Sequence, residues 1–251
     1  YTPLLILVLS AAMPGDTTIS GRLKSPNIGH AFTPSTMDTE LDYTYPANIF
    51  AGRRFRDTEI EFYPIGISDD GLFALVERPC DGGCGCCIHK IQIINLTTDK
   101  PFAELDLNRD HEEIEDHKRE WRKQAGRIEN FLESKRISQM PLPVNSSPVL
   151  NYMGHTYKVS VSTRKGTDND EYLGYGSLKY TVTVKLDNSK IKIVSKGAIS
   201  DGVAFQYLGY IQSPFDAQIA LLFNKSYDGW EAEHVNEVVL VGCKLDPKYF
   251  K

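Results

Sequence analysis

This chain has no run apolar for long enough to cross a bilayer as a helix, which takes about 20 consecutive apolar residues, and the opening run Leu4 to Ala12 is too short as well. It is read as having no transmembrane span. Positive charge is also in short supply: 28 Lys and Arg against 33 Asp and Glu leave a net charge of -5. That argues against nucleic acid as a partner, because such a domain presents a basic face. The one cationic cluster, Lys118, Arg119, Arg122 and Lys123, is surrounded by acids. Enzyme signatures are missing as well. There is no Gly-x-Ser-x-Gly elbow, no phosphate-binding Gly-rich loop and no dinucleotide fingerprint. His111-Glu-Glu-Ile-Glu115 approaches the zinc-protease pattern, but Glu115 stands where the second histidine ligand belongs. No residue is assigned a catalytic role. Cysteine is scarce, yet four of the five cysteines fall between Cys80 and Cys87.

What is present suits a folded, exported domain. Hydrophobic content of 41% and charged content of 24% over 251 residues allow a substantial core. Leu4 to Ala12 has the length of a secretory h-region, and Ser10 and Ala12 give a small-x-small cleavage pattern. Residues 1–12 are therefore expected to be the remnant of a signal peptide, with a secreted or periplasmic destination. A buried N-terminal strand is the alternative. Residues 13–57 carry Pro14, Pro26, Pro34 and Pro46 among Ser, Thr and Gly, and read as an irregular arm.

Residues 58–251 read as a single β-rich domain. Ile65 to Leu107 gives strand, cysteine tip, strand, turn, strand, with Asp69-Asp70-Gly71 supplying the turn before the run Leu72 to Val76. An amphipathic helix is predicted over about 110–136. Asp110 and Glu113 have capping-box spacing, and Ile114, Trp121, Ala125, Ile128 and Leu132 form one apolar stripe. Beyond Pro148 the period changes to two. Tyr157, Val159 and Val161 alternate with polar residues, as do Tyr180, Val182, Val184 and Leu186. Gln218 to Phe223 and Val235 to Leu245 read as the last strands, with Asn224 to Glu233 a polar hairpin loop between them. The fold class that follows is mainly β, with antiparallel sheets in a sandwich-like or partial propeller-like arrangement and one long amphipathic α-helix.

Two features carry possible chemistry. Outside the reducing cytosol, Cys80, Cys84, Cys86 and Cys87 are disulfide candidates, with Cys243 left over as a free buried thiol or a fifth partner. No cofactor is then required. The alternative is a copper or zinc site made by the same four thiols and His89, or a redox-active Cys-Gly-Cys. The second feature is aromatic. Trp230 and Tyr227 in one loop, and Tyr172 and Tyr175 in another, are candidates for a binding surface. Asn224-Lys-Ser226 is one of three glycosylation sequons, read as incidental.

Gly66-Ile-Ser-Asp-Asp-Gly-Leu-Phe-Ala-Leu75 is echoed by Tyr210-Ile-Gln-Ser-Pro-Phe-Asp-Ala-Gln-Ile-Ala-Leu221, each placing a serine and a turn before an apolar strand. This lead-in resembles that of WD40-like, TolB-type propeller blades. Together with Asn95-Leu-Thr-Thr-Asp99, Tyr227-Asp-Gly-Trp-Glu231 and the closing Val239 to Leu245, the layout resembles a bacterial family of predicted-secreted proteins of unknown function. The cysteine tip departs from that family, and the resemblance brings no site residues with it. The expected function is an exported, non-catalytic binding or envelope-interaction domain for an unknown protein or small-molecule ligand. A metal-handling or thiol-redox protein acting through Cys80 to Cys87 is the alternative.

Overall fold

The computed structural model describes residues 45–56, 58–77, 89–107, 117–169, 176–187, 189–228 and 234–251, all within the unit Asp42–Lys251. The protein is mainly β and its strand pairings are antiparallel. A two-stranded strap comes first, β1 (Arg54–Phe55) with β2 (Thr58–Glu59). A meander follows: β3 (Tyr63–Ile67), β4 (Leu72–Glu77), β5 (Lys90–Asn95) and β6 (Lys100–Asp106). After helices α1 (His117–Lys123) and α2 (Ala125–Ser134), β7 (Ser138–Gln139) joins β3 to complete a five-stranded sheet. Then β8 (Val149–Tyr152), β9 (His155–Asn169), β10 (Gly176–Leu186) and β11 (Lys190–Ile199) form a four-stranded sheet. The last three, β12 (Gly202–Gln212), β13 (Gln218–Asp228) and β14 (His234–Lys244), make a sheet with β13 at its centre.

Three apolar clusters join these sheets into layers. Val182, Val184 and Leu186 of β10 pack with Ile219, Leu221 and Phe223 of β13. From the opposite face of β13, Ala220 and Leu222 pack with Ile67, Phe73 and Leu75. The far side of that five-stranded sheet, through Ala74, Val76, Ile91 and Ile93, takes Trp121, Ile128 and Leu132 from the helices. This layering explains two kinds of sequence pattern. Strands β9 and β10 turn one face to water and alternate. The runs Leu72 to Val76 and Ile219 to Phe223 are covered on both faces and so are apolar throughout. Each such large side chain stabilises the fold by roughly 1.5–3 kcal/mol.

The turn before β4 forms as its residues demand. Gly71 has φ +83°, a left-handed backbone that favours glycine, and a Cβ there would press on the Gln218 side-chain amide. Ser68 Oγ bonds the Asp70 carboxylate and accepts from the Leu72 amide. The Ser68 hydroxyl, and then Arg136, hold the Asp70 carboxyl below its usual range. The two echoing segments thus meet, Gly71 of one against Gln218 of the other.

Two expectations are corrected. The described part of the helix is two helices rather than one long one, with residues 110–116 lying outside the described set. The break is at Gln124, whose backbone leaves the helical region (φ -103°, ψ 9°). Its side-chain amide donates to the Leu107 carbonyl (2.8 Å) and to Glu120 (2.9 Å), tying the junction to the end of β6. Glycine two residues on, at 126, does little to favour helix there. The apolar stripe survives the break, with Trp121, Ile128 and Leu132 all buried. The second correction concerns Asn224 to Glu233. Only residues 229–233 lie between the paired Asp228 and His234, because β13 and β14 continue in unbroken register through Asn224–Asp228. Backbone pairing does not require apolar side chains, so a polar half-strand has no hydrophobic period to show.

Candidate functional site

At the end of the molecule where β13 turns polar, four separate segments converge. The last described pair of the β13–β14 hairpin is Asp228 and His234. That of the β9–β10 hairpin is Asn169 and Gly176. The β11–β12 turn brings Asp201 and Gly202, and the tip of the strap brings Arg56. Arg56, Lys165, Asp201 and Asp228 line one open cavity of about 300 Å³, floored by Gly176, Gly202 and Val203. Arg56 and Asp201 both hold left-handed backbone, at φ 47° and 53°. Aspartate tolerates that region better than most residues, whereas arginine does so at some cost. Gly202 is obligatory in another sense, since a Cβ on it would sit 2.6 Å from Leu178 Cβ.

The electrostatics of the cavity are uneven. Asp228 Oδ1 lies 2.5 Å from His234 Nδ1. Among the described residues the side chains of Arg56, Lys165 and Asp201 have neither an ion pair nor a hydrogen bond. The carboxylates share a wall, because the Asp228 amide donates to the Asp201 carbonyl at 3.1 Å. The cations come from elsewhere, Arg56 from the strap and Lys165 from β9.

Behind Asp228, the same face of β13 carries Ser226 and then Asn224, both fully buried. The orientation of the amides here is forced. The carbonyls of Phe55 and Thr58 can only accept, so Asn236 gives them its Nδ2, at 3.0 and 3.4 Å. Its Oδ1 therefore faces Asn224, which donates Nδ2 at 3.0 Å. Asn224 is left with an acceptor, Oδ1, that no protein group meets, and Ser226 Oγ is likewise without a partner. Ser177 Oγ, beside Gly176, is a third buried orphan at this end. A buried polar atom without a partner costs about 1–3 kcal/mol, so such atoms mark places where something else is expected.

A second cavity of about 330 Å³ opens at the β12–β13 turn, between Tyr152 and Phe215. Its polar groups are spent within the turn: Ser213 Oγ accepts from the Phe215 amide and Asp216 Oδ1 from the Gln218 amide. It offers a ligand far less.

The sequence-derived candidates are distributed as follows. Tyr227 is part-buried, with Lys225 Nζ 5.0 Å from its ring centre, on the face of β13 away from Asp228. Trp230, Tyr172 and Tyr175 lie outside the described residues, as do Cys80, Cys84, Cys86 and Cys87. The described residues Gly176 and Asp228, which flank the segments 170–175 and 229–233 in sequence, both line the cavity. His89 is wholly buried, with Nε2 3.1 Å from the Tyr45 hydroxyl, beside Trp121. Cys243 is buried and free, and burial pushes its thiol pKa up to about 11. Among the described residues no three His, Cys, Asp or Glu side chains gather as metal ligands, and no helix is long and apolar enough to cross a membrane. The sequon Asn224-Lys-Ser226 is buried in the sheet.

Arg56, Lys165, Asp201, Asp228 and His234 escaped the sequence reading. No periodic signal marks them, because Ile219 to Phe223 is apolar throughout and Asn224 to Asp228 is mostly polar. The chain matches no family profile, no curated protein and no solved structure.

Proposed function

We propose that this chain is an exported, non-catalytic binding domain whose ligand site is the cavity between Arg56, Lys165, Asp201 and Asp228. One observation carries the reading. Gly176, the residue after the segment bearing Tyr172 and Tyr175, and Asp228, two residues before Trp230, line one cavity. Loops on a rigid sheet are where binding residues concentrate, and aromatic side chains are favoured at such surfaces. Export rests on the leader-like run Leu4 to Ala12 and on the resemblance to the bacterial secreted family. Within this reading the sheets are sandwich-like rather than propeller blades, supported by the single apolar cluster shared by β10 and β13.

The test is thermal denaturation of the full chain against a panel of probes: free amino acids, mono- and disaccharides, dicarboxylates and divalent metals. At least one class is expected to raise the midpoint, by mass action on the folded state. Asp228→Asn is expected to cancel that shift. A panel without a hit, or a hit indifferent to Asp228, overturns the reading. Fractionation of cells making the chain with its leader checks export; protein retained uncleaved in the cytosol removes that part.

A further inference from the structure

We infer that the ligand is a small zwitterion, an α-amino acid or short peptide with both ends free, bound with its ammonium group toward Asp201 and Asp228 and its carboxylate toward Arg56 and Lys165. The inference rests on the cavity being the binding site. It goes further by deciding what that site selects.

Charge separates the classes of ligand. A dianion would satisfy Arg56 and Lys165 but bring negative charge against Asp201, which has no counter-ion among the described residues. A simple cation would meet the reverse difficulty. A neutral sugar would hydrogen-bond to these groups but bring no opposite charge to offset theirs. A molecule carrying both signs, separated by one or a few bonds, supplies partners to both walls. Coulombic attraction then adds on each side.

The two carboxylates on the cavity point the same way: Asp201 and Asp228 are acceptors, and an ammonium group has three donors and no acceptor. Volume limits the ligand from above. About 300 Å³ is at the low end for small-molecule sites, room for an amino acid or dipeptide and too little for a folded partner or an oligosaccharide.

The experiment is isothermal titration of the full chain with each proteinogenic amino acid and with Ala-Ala. The best binder is then compared with its N-acetyl and its C-terminal amide forms. Each blocked form is expected to bind roughly tenfold more weakly or worse, the size of one lost charge-assisted hydrogen bond. Asp201→Asn should erase the discrimination against the N-acetyl form, and Arg56→Asn that against the amide. Asparagine is chosen at both because it accepts the left-handed backbone these positions hold, so the turns survive. If no zwitterion binds, or the blocked forms bind as well as the free one, the inference is wrong. A sugar or dicarboxylate that binds and is lost in Asp228→Asn leaves the cavity as the site and removes only the zwitterion. Silence from every probe removes both.

Discussion

Strand β13 is two strands in one. From Ile219 to Phe223 both faces are apolar and fully buried, between the four-stranded sheet on one side and the five-stranded sheet on the other. From Asn224 to Asp228 the face toward the strap becomes amide, hydroxyl and carboxylate, and the buried atoms there go short of partners. The backbone ladder runs through both halves without a shift, Gln218 opposite Lys244 at one end and Asp228 opposite His234 at the other. The ladder is thus common to the two halves and cannot be what distinguishes them. Side chains of the first half stabilise the fold, and those of the second depend on the fold for their position. A site placed at the end of a strand anchored in this way inherits the rigidity of the core without being part of it.

The comparison breaks first at Phe223, if it is to break at all. Its ring lies 5.0 Å from that of Phe205, nearly parallel, and 5.8 Å from that of Tyr207, edge to face. Phe223→Ala is expected to cost about 3–5 kcal/mol in urea denaturation, by lost transfer energy and the cavity left behind. A loss under about 1 kcal/mol would mean that the apolar half does not anchor the strand. Next in size is Cys243, which pairs with Ile219 across the ladder and titrates within the same cluster. Burial raises its folded pKa to about 11, against an ordinary value of 9.0. The sign follows from linkage: the unfolded chain loses the proton first, so stability is full below pH 9 and falls as pH rises toward 11. The fall amounts to roughly 2–3 kcal/mol. Subtracting the pH profile of Cys243→Ala isolates it from the lysines, and identical slopes in the two proteins would contradict the burial argument.

The same division decided what could be read without a structure. The meander from Ile65 to Leu107, the alternating strands after Pro148 and the face shared by Val239, Val241, Cys243 and Leu245 were legible because burial imposes a period on apolar residues. The apolar half of β13 was legible for that reason, and its polar half was taken for a loop. The break at Gln124 was invisible because it depends on the Leu107 carbonyl, distant in sequence and adjacent in space. The cavity was less legible still. Arg56, Lys165, Asp201 and Asp228 each look like a solvated charge at a turn or strand end, and only the convergence of four segments makes them one site. What the sequence did offer was the two aromatic segments, whose flanking residues Gly176 and Asp228 line the cavity.

The smallest expected effect is the most discriminating, because its sign differs from that at Phe223. Ser226 is as buried as Phe223, and on burial alone truncating it should also destabilise. Yet its Oγ meets no protein donor or acceptor, so the folded state carries a desolvation penalty that the unfolded chain escapes. Ser226→Ala removes that atom and almost no packing volume. Stability without ligand is expected to stay level or rise, by up to about 1 kcal/mol, because the penalty for an unmet hydroxyl disappears with it. Asn224 is unsuitable for the same test, since its Nδ2 satisfies Asn236, which in turn holds the strap through Phe55 and Thr58. Urea titrations of Ser226→Ala and the parent chain, run side by side without ligand, decide the matter. A destabilisation beyond about 1 kcal/mol would show that the hydroxyl is already engaged in the free protein, and the two halves of β13 would then differ in chemistry but not in what they contribute.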